Sequence, residues 1–198
     1  MRERPILFSA PMVRAILAGA KTQTRRPVKP RKDRAIGCEL ACYELADEFN
    51  AGDYMNAPWA PGDRLWVRET FCDHWHMDRG VIEYRADGEL DSDMFDAGCT
   101  WRPSIHMPRW ASRITLEVTG VRVEQLQEIS YEDAKAEGAE FWRNDGTLTE
   151  LPPCSAHRYE FEDLWTSING ADSWDANPWV WVVSFRRLDA KEAKGEPS

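Results

Sequence analysis

The stretch at residues 113–123 constrains the fold more than any other part of the chain. Ile114, Leu116 and Val118 alternate there with Thr115, Glu117 and Thr119. Successive side chains of a strand point to opposite faces, so this strand has one apolar face that must be covered. Its candidate partners are short: 6–8, 21–28, 64–70, 81–85 and 179–188, the last rich in Trp and Val. Within 64–70, Leu65 and Val67 share one face, and Arg64 and Arg68 lie on the other. Three helices come between. Ser9 is placed to cap the first, with Pro11 in its first turn, Met12, Val13, Ile16 and Leu17 on one face, and Gly19 as its stop. Ser130-Tyr131-Glu132-Asp133 has the form of a capping box opening a second helix, which Gly138 closes. Residues 155–168 carry Phe161, Leu164, Trp165 and Ile168 at three-to-four spacing and stop at Asn169-Gly170. Short antiparallel strands with a few helices predict an α+β fold: a small β-barrel with helices packed over its ends.

At 198 residues the chain suits a single domain, read here as 1–188 with a polar tail at 189–198. Residues 31–60 have no clear period and, with 71–110, look like loop insertions. Ten tryptophans argue against disorder over most of the length. Trp174, Trp179 and Trp181 read as core or rim packing. The longest apolar stretch, 179–183, is far below the roughly 20 residues of a membrane helix, and no membrane partner is expected. The first residues lack the apolar region of a secretory signal. Five cysteines, at 38, 42, 72, 99 and 154, form no CxxC pair and read as reduced thiols in a cytoplasmic protein.

Charge is unevenly placed. Residues 1–34 hold ten bases and two acids, a balance of +8; the remainder, with 15 bases and 32 acids, brings the total to −9. An acidic body binds nucleic acid poorly without a local positive surface. The basic segment can be a lip that holds one short anionic strand or nucleotide, or a solvated loop.

Within that segment, Gly19-Ala20-Lys21-Thr22-Gln23-Thr24-Arg25-Arg26 leaves a helix and enters a strand. On a regular strand Lys21 and Thr24 would point to opposite faces; they converge only if the strand begins after Lys21. A lysine beside a hydroxyl is a nucleophile–base arrangement when the amine is desolvated or near other cations, which Arg25 and Arg26 supply. Glu137, in the last turn of the Ser130 helix, sits where the macrodipole disfavours a carboxylate by about 0.3–1 kcal/mol. That raises its proton affinity and suits an acid–base or orienting role. A solvated lysine and an exposed glutamate are the plain alternatives.

The helix followed by Gly19-x-Lys21-x-x-Thr24-x-Arg26 resembles the signature of the ASCH domain, a relative of the PUA fold. The Pro61-Gly62-Asp63 turn, the 113–125 strand, the Ser130 helix with Glu137 and the closing 179–188 strand are similar in order. With the segment from Trp101-Arg102-Pro103 to Arg109-Trp110, the arrangement resembles ASCH proteins of phages and prophages. The resemblance implies a PUA-like small β-barrel with a cleft for RNA or a nucleoside. Many members carry glutamate three residues after the motif lysine; Thr24 stands there in this chain. That departure points toward the small bacterial amidohydrolases that deacetylate N4-acetylcytidine, and implies Lys21, Thr24 and Glu137 as catalytic residues. No cofactor or metal is implied.

Lys21 and Thr24 would then supply base and nucleophile, and Glu137 would orient Lys21 or carry a proton. Arg26 or a backbone N–H would stabilise the oxyanion. Arg25, Arg26, His106, Arg109 and Trp110 are the candidate substrate contacts, in keeping with cations interleaved with aromatics. The rival readings are a non-catalytic RNA-binding module and a metal-dependent ribonuclease. For the latter, Cys72-Asp73-His74-Trp75-His76 with Cys99 and His106 offers ligand types at no standard zinc spacing. Oligomeric state is not legible.

Overall fold

The computed structural model describes residues 1–33, 37–50, 57–73, 82–90, 99–138, 153–189 and 192–193. The elements of the first half are β1 (Glu3–Leu7), α1 (Ala10–Leu17), β2 (Gln23–Pro27), β3 (Arg31–Lys32), β4 (Glu39–Leu40), α2 (Cys42–Asn50), β5 (Arg64–Arg68), β6 (Phe71–Asp73) and β7 (Ile82–Tyr84). β8 (Thr115–Gln125), α3 (Tyr131–Ala136), α4 (Pro153–Asn169) and β9 (Trp179–Arg187) follow. A five-stranded sheet in the order β1-β5-β8-β9-β2 carries the fold, and β3–β4 and β6–β7 form separate pairs. This is the expected α+β class; a closed barrel is a finer expectation than these pairings show.

The expectation of antiparallel strands is corrected at one place. β1 runs parallel to β5, with Glu3 opposite Arg64 and Leu7 opposite Arg68. Parallel pairing needs a long crossover, and the chain between residues 7 and 64, which includes α1 and α2, supplies it. β5–β8 and β2–β9 are antiparallel, as expected.

Contacts group the chain into two units. The first comprises Met1–Gly19, Asp63–Glu117 and Arg187–Ser198. Its core takes Val13 and Ile16 from α1, Leu65 and Val67 from β5, and Ile114 and Leu116 from the alternating stretch, all buried. Gly19 ends α1 with φ +76°, a conformation that costs a residue bearing Cβ and that glycine adopts freely. A satellite cluster joins Phe71, Met107 and Ala111. Cys72 and Cys99 form a disulfide with Cα atoms 6.4 Å apart, so the reduced-thiol expectation is corrected for that pair. Cys38 and Cys42 are free thiols.

The second unit comprises Ala20–Gly62 and Val118–Arg186. Its core joins Leu126, Ile129, Phe161, Trp165, Trp174, Val180 and Val182. Ser130 caps α3 by accepting from the Asp133 backbone N–H at 3.1 Å, and Gly138 follows the helix at φ +69°. The segment read as an insertion contains α2, which buries Leu45, Ala46 and Phe49; the Phe49 and Trp181 rings pack in a T-shape with centroids 5.1 Å apart. Ile168, expected on the apolar face of the long helix, is 53% exposed; the last turn of α4 has passed beyond the core that Phe161, Leu164 and Trp165 enter. His74, Trp75, His76, Val81, residues 91–96 and the side chain of Cys154 lie outside the described residues.

Candidate functional site

The helix stop at Gly19 lets β2 begin at Gln23, after Lys21, so Lys21 is free of the strand's alternation. The Thr22 backbone N–H donates to the carbonyl of Ala136 at 2.8 Å, which brings the residue after Lys21 to the last residue of α3. Lys21 is there fully enclosed. Its Nζ donates to Glu137 Oε2 and to the Glu137 carbonyl, both at 2.8 Å. The exposure of the two side chains is 0% and 3%. The last carbonyls of a helix lack intrahelical partners and carry partial negative charge. An ammonium at that end answers both the carbonyl and the carboxylate, which removes the misfit that Glu137 presents as a sequence. The pairing spans 116 positions.

Burial pushes the Lys21 amine below its ordinary pKa, and Arg26 and Arg25 push the same way; the charge and hydrogen bond of Glu137 oppose them. Burial also lowers the pKa of Arg26, against the attraction of Glu137.

Arg25 is as deeply enclosed as Lys21, with no side-chain exposure. Its Nη1 donates to Glu137 Oε1 at 3.1 Å. Its Nε and Nη2 reach Glu124 Oε1 at 3.1 and 2.6 Å, and Nη2 also reaches Asp133 Oδ2 at 3.2 Å. Arg122 completes the group, donating to Glu124 Oε2 at 2.9 Å and to Asp133 Oδ2 at 2.6 Å. Lys21, Arg25 and Arg122 thus face Glu137, Glu124 and Asp133. The guanidinium carbon of Arg25 lies 5.6 Å from the centroid of the Phe161 ring.

Thr24 is buried on β2 opposite Val183, and Arg26 stands opposite Trp181. Alternation gives Thr24 and Arg26 one face of the strand and Gln23 and Arg25 the other. Gln23 Oε1 is buried with no hydrogen-bond partner among the described residues. Lys21 and Arg25 thus each contact Glu137 directly, and Thr24 and Arg26 are in the same unit. His106, Arg109 and Trp110 belong to the other unit. There Arg109 donates to Glu3 at 2.7 and 3.0 Å and lies, like Arg68, over the Trp66 ring. Trp110 is 61% exposed, and His106 is exposed.

Sequence reasoning does not single out Arg122, Glu124 or Asp133 for the site. A signal exists, since residues 122 and 124 share one face of the strand that the alternation predicts. Asp133 is hidden in the motif that caps α3. Among the described residues, no group of three or more His, Cys, Asp or Glu side chains is placed to hold a metal ion, and no helix is long and apolar enough to cross a membrane.

No protein-family model and no curated protein matches the chain. Comparison with solved structures finds a likeness to the high-resolution crystal structure of an ASCH domain from Lactobacillus crispatus JV V101. The identity is 13% and the TM-score 0.37, over 94% of this chain and 79% of that chain.

Proposed function

We propose that this chain is a single-domain, PUA-like barrel protein of ASCH type that hydrolyses the amide of an N4-acylated cytidine. Lys21, Thr24 and Glu137 are its catalytic residues. The observation that supports this reading best is the enclosed Lys21–Glu137 contact at 2.8 Å, formed across most of the chain by two residues that the motif resemblance selects. An amine that burial shifts toward its neutral form is better suited to act as a general base than a solvated lysine.

In the proposed scheme Lys21 Nζ takes the proton of the Thr24 hydroxyl as Thr24 Oγ1 bonds to the acyl carbon. Arg26 holds the resulting oxyanion. The C–N bond then breaks, and Lys21 returns the proton to the departing amino group of the cytosine, with Glu137 keeping the ammonium in place. Water, deprotonated by Lys21, attacks the acyl-threonine; acetate leaves, and Thr24 regains its proton. The scheme requires the Thr24 hydroxyl to reach Lys21, and a strand that starts after Lys21 is the local geometry this needs.

The test is incubation of the purified protein with N4-acetylcytidine and with acetylated RNA, read by mass spectrometry. Cytidine should appear, and Lys21→Ala should slow its release by at least about 100-fold. Release at the parent rate in that variant overturns the assignment.

The exposed Trp110, with Arg68 and Arg109 over Trp66, favours a second reading, a non-catalytic module that binds single-stranded RNA. Binding without product, falling steeply with salt, would select it.

A further inference from the structure

We infer that Arg25 is a positioning residue: it holds Oε1 of Glu137 and so leaves Oε2 to Lys21, while Glu124 and Asp133 fix Arg25 in turn. The inference rests on the reading of Lys21 and Glu137 as the reactive pair. It moves Arg25 out of the set of substrate contacts.

Geometry carries the argument. Arg25 has five N–H donors in a rigid plane. The contacts to Glu137, Glu124 and Asp133 engage Nε, Nη1 and Nη2, so each of its three nitrogens already faces a carboxylate. Phe161 lies beside the plane at 5.6 Å, and the side chain has no exposed surface. A phosphate would have to displace a carboxylate and open the core. What the arrangement does provide is a fixed orientation for Glu137. A carboxylate held at both oxygens by different cations cannot rotate, and the oxygen facing Lys21 stays aimed at Nζ.

Among the described residues, the charged groups around the pair include Arg25 and Arg26 from β2, Arg122 and Glu124 from β8, and Asp133 and Glu137 from α3 and its end. They predict effects of opposite sign. Arg25→Met removes a cation near Lys21 and leaves Glu137, Glu124 and Asp133 in excess, which favours the ammonium. Glu124→Gln removes an anion and releases Arg25 to bind Glu137 more fully, which favours the neutral amine.

The experiment is a pH titration of the full-length protein labelled with ε-13C lysine, followed by NMR at Lys21. The Lys21 midpoint should rise by about one unit or more in Arg25→Met, a tenfold loss of neutral amine at a given pH, and should fall in Glu124→Gln. Midpoints that stay put, or that both move toward the ordinary lysine value, overturn the inference; the second pattern is what a merely loosened structure gives. If Arg25→Met does not fold, Glu124→Gln decides alone, since it removes neither Lys21 nor Glu137. Should Arg25→Met instead flatten the salt dependence of RNA binding while the Lys21 midpoint holds, Arg25 contacts phosphate and the inference fails. Absence of any turnover in the parent protein would end the functional reading, and the Lys21 midpoints would still decide the positioning role.

Discussion

The burial of Lys21 couples the stability of the protein to pH. The amine's ordinary pKa is 10.5, and the folded value is lower, chiefly because it is buried. Between the two values the unfolded chain binds more protons than the folded one, so stability rises with pH across that window. The gain is complete above 10.5 and is lost as pH falls through the folded value. Lys21→Met should therefore flatten the rise in stability on the alkaline side, as read by urea unfolding at a series of pH values; an unchanged slope would show that Lys21 does not titrate there. From the sequence, Arg25 and Arg26 read as twin cations serving one substrate. What separates them is the alternation of β2, which turns Arg25 toward the carboxylates and leaves Arg26 beside Thr24. The consequence of adjacency in a strand is opposite placement, and a motif written as a string does not display it.

Between elements, the same logic of shared carboxylates recurs in the first unit. Arg113, just before β8, donates to both oxygens of buried Glu69 at 3.0 Å and to both oxygens of Asp87 at 2.6 and 2.9 Å. Its guanidinium lies 3.9 Å from the centroid of the Tyr84 ring. The residue after β5 and the turn after β7 are thereby tied to the start of β8. Burial raises the pKa of Glu69 and Arg113 opposes it, so removing the cation strands a buried acid. Arg113→Ala should lower stability by about 3 kcal/mol in chemical denaturation. Arg113→Lys should recover little of it, because a single ammonium cannot bridge two carboxylates in a plane; full recovery would show that charge alone matters. Element types with strong periodicity are legible before any coordinates: β8, β9, α1 and the middle of α4 fall where alternation or three-to-four spacing puts them. α2 is missed although Leu45, Ala46 and Phe49 carry the helical spacing, because it sits among prolines, glycines and residues without period. The parallel β1–β5 pair is not legible at all, since pairing direction depends on the route between strands and not on the residues within them.

At the scale of the whole molecule, a net charge of −9 sets what can approach. A polyanion meets general repulsion, relieved only where cations are local, whereas an uncharged nucleoside meets none. Turnover of free N4-acetylcytidine should therefore change by less than about twofold between 50 and 200 mM salt, while any RNA binding should weaken by an order of magnitude or more. A strong salt dependence for the nucleoside would place its recognition on charge instead of on stacking and hydrogen bonds.

The ring of cations and carboxylates behind Lys21 also limits how this chain can change over time. Position 25 is bound to 124, 133 and 137 at once, and 122 is bound to 124 and 133. Neutralising one member strands a charge that its neighbours can no longer answer, so tolerated drift must come in matched replacements. Descendants of this sequence should keep that group whole or lose it whole, and a homologue with an apolar residue at 25 should have surrendered the acid at 124 as well.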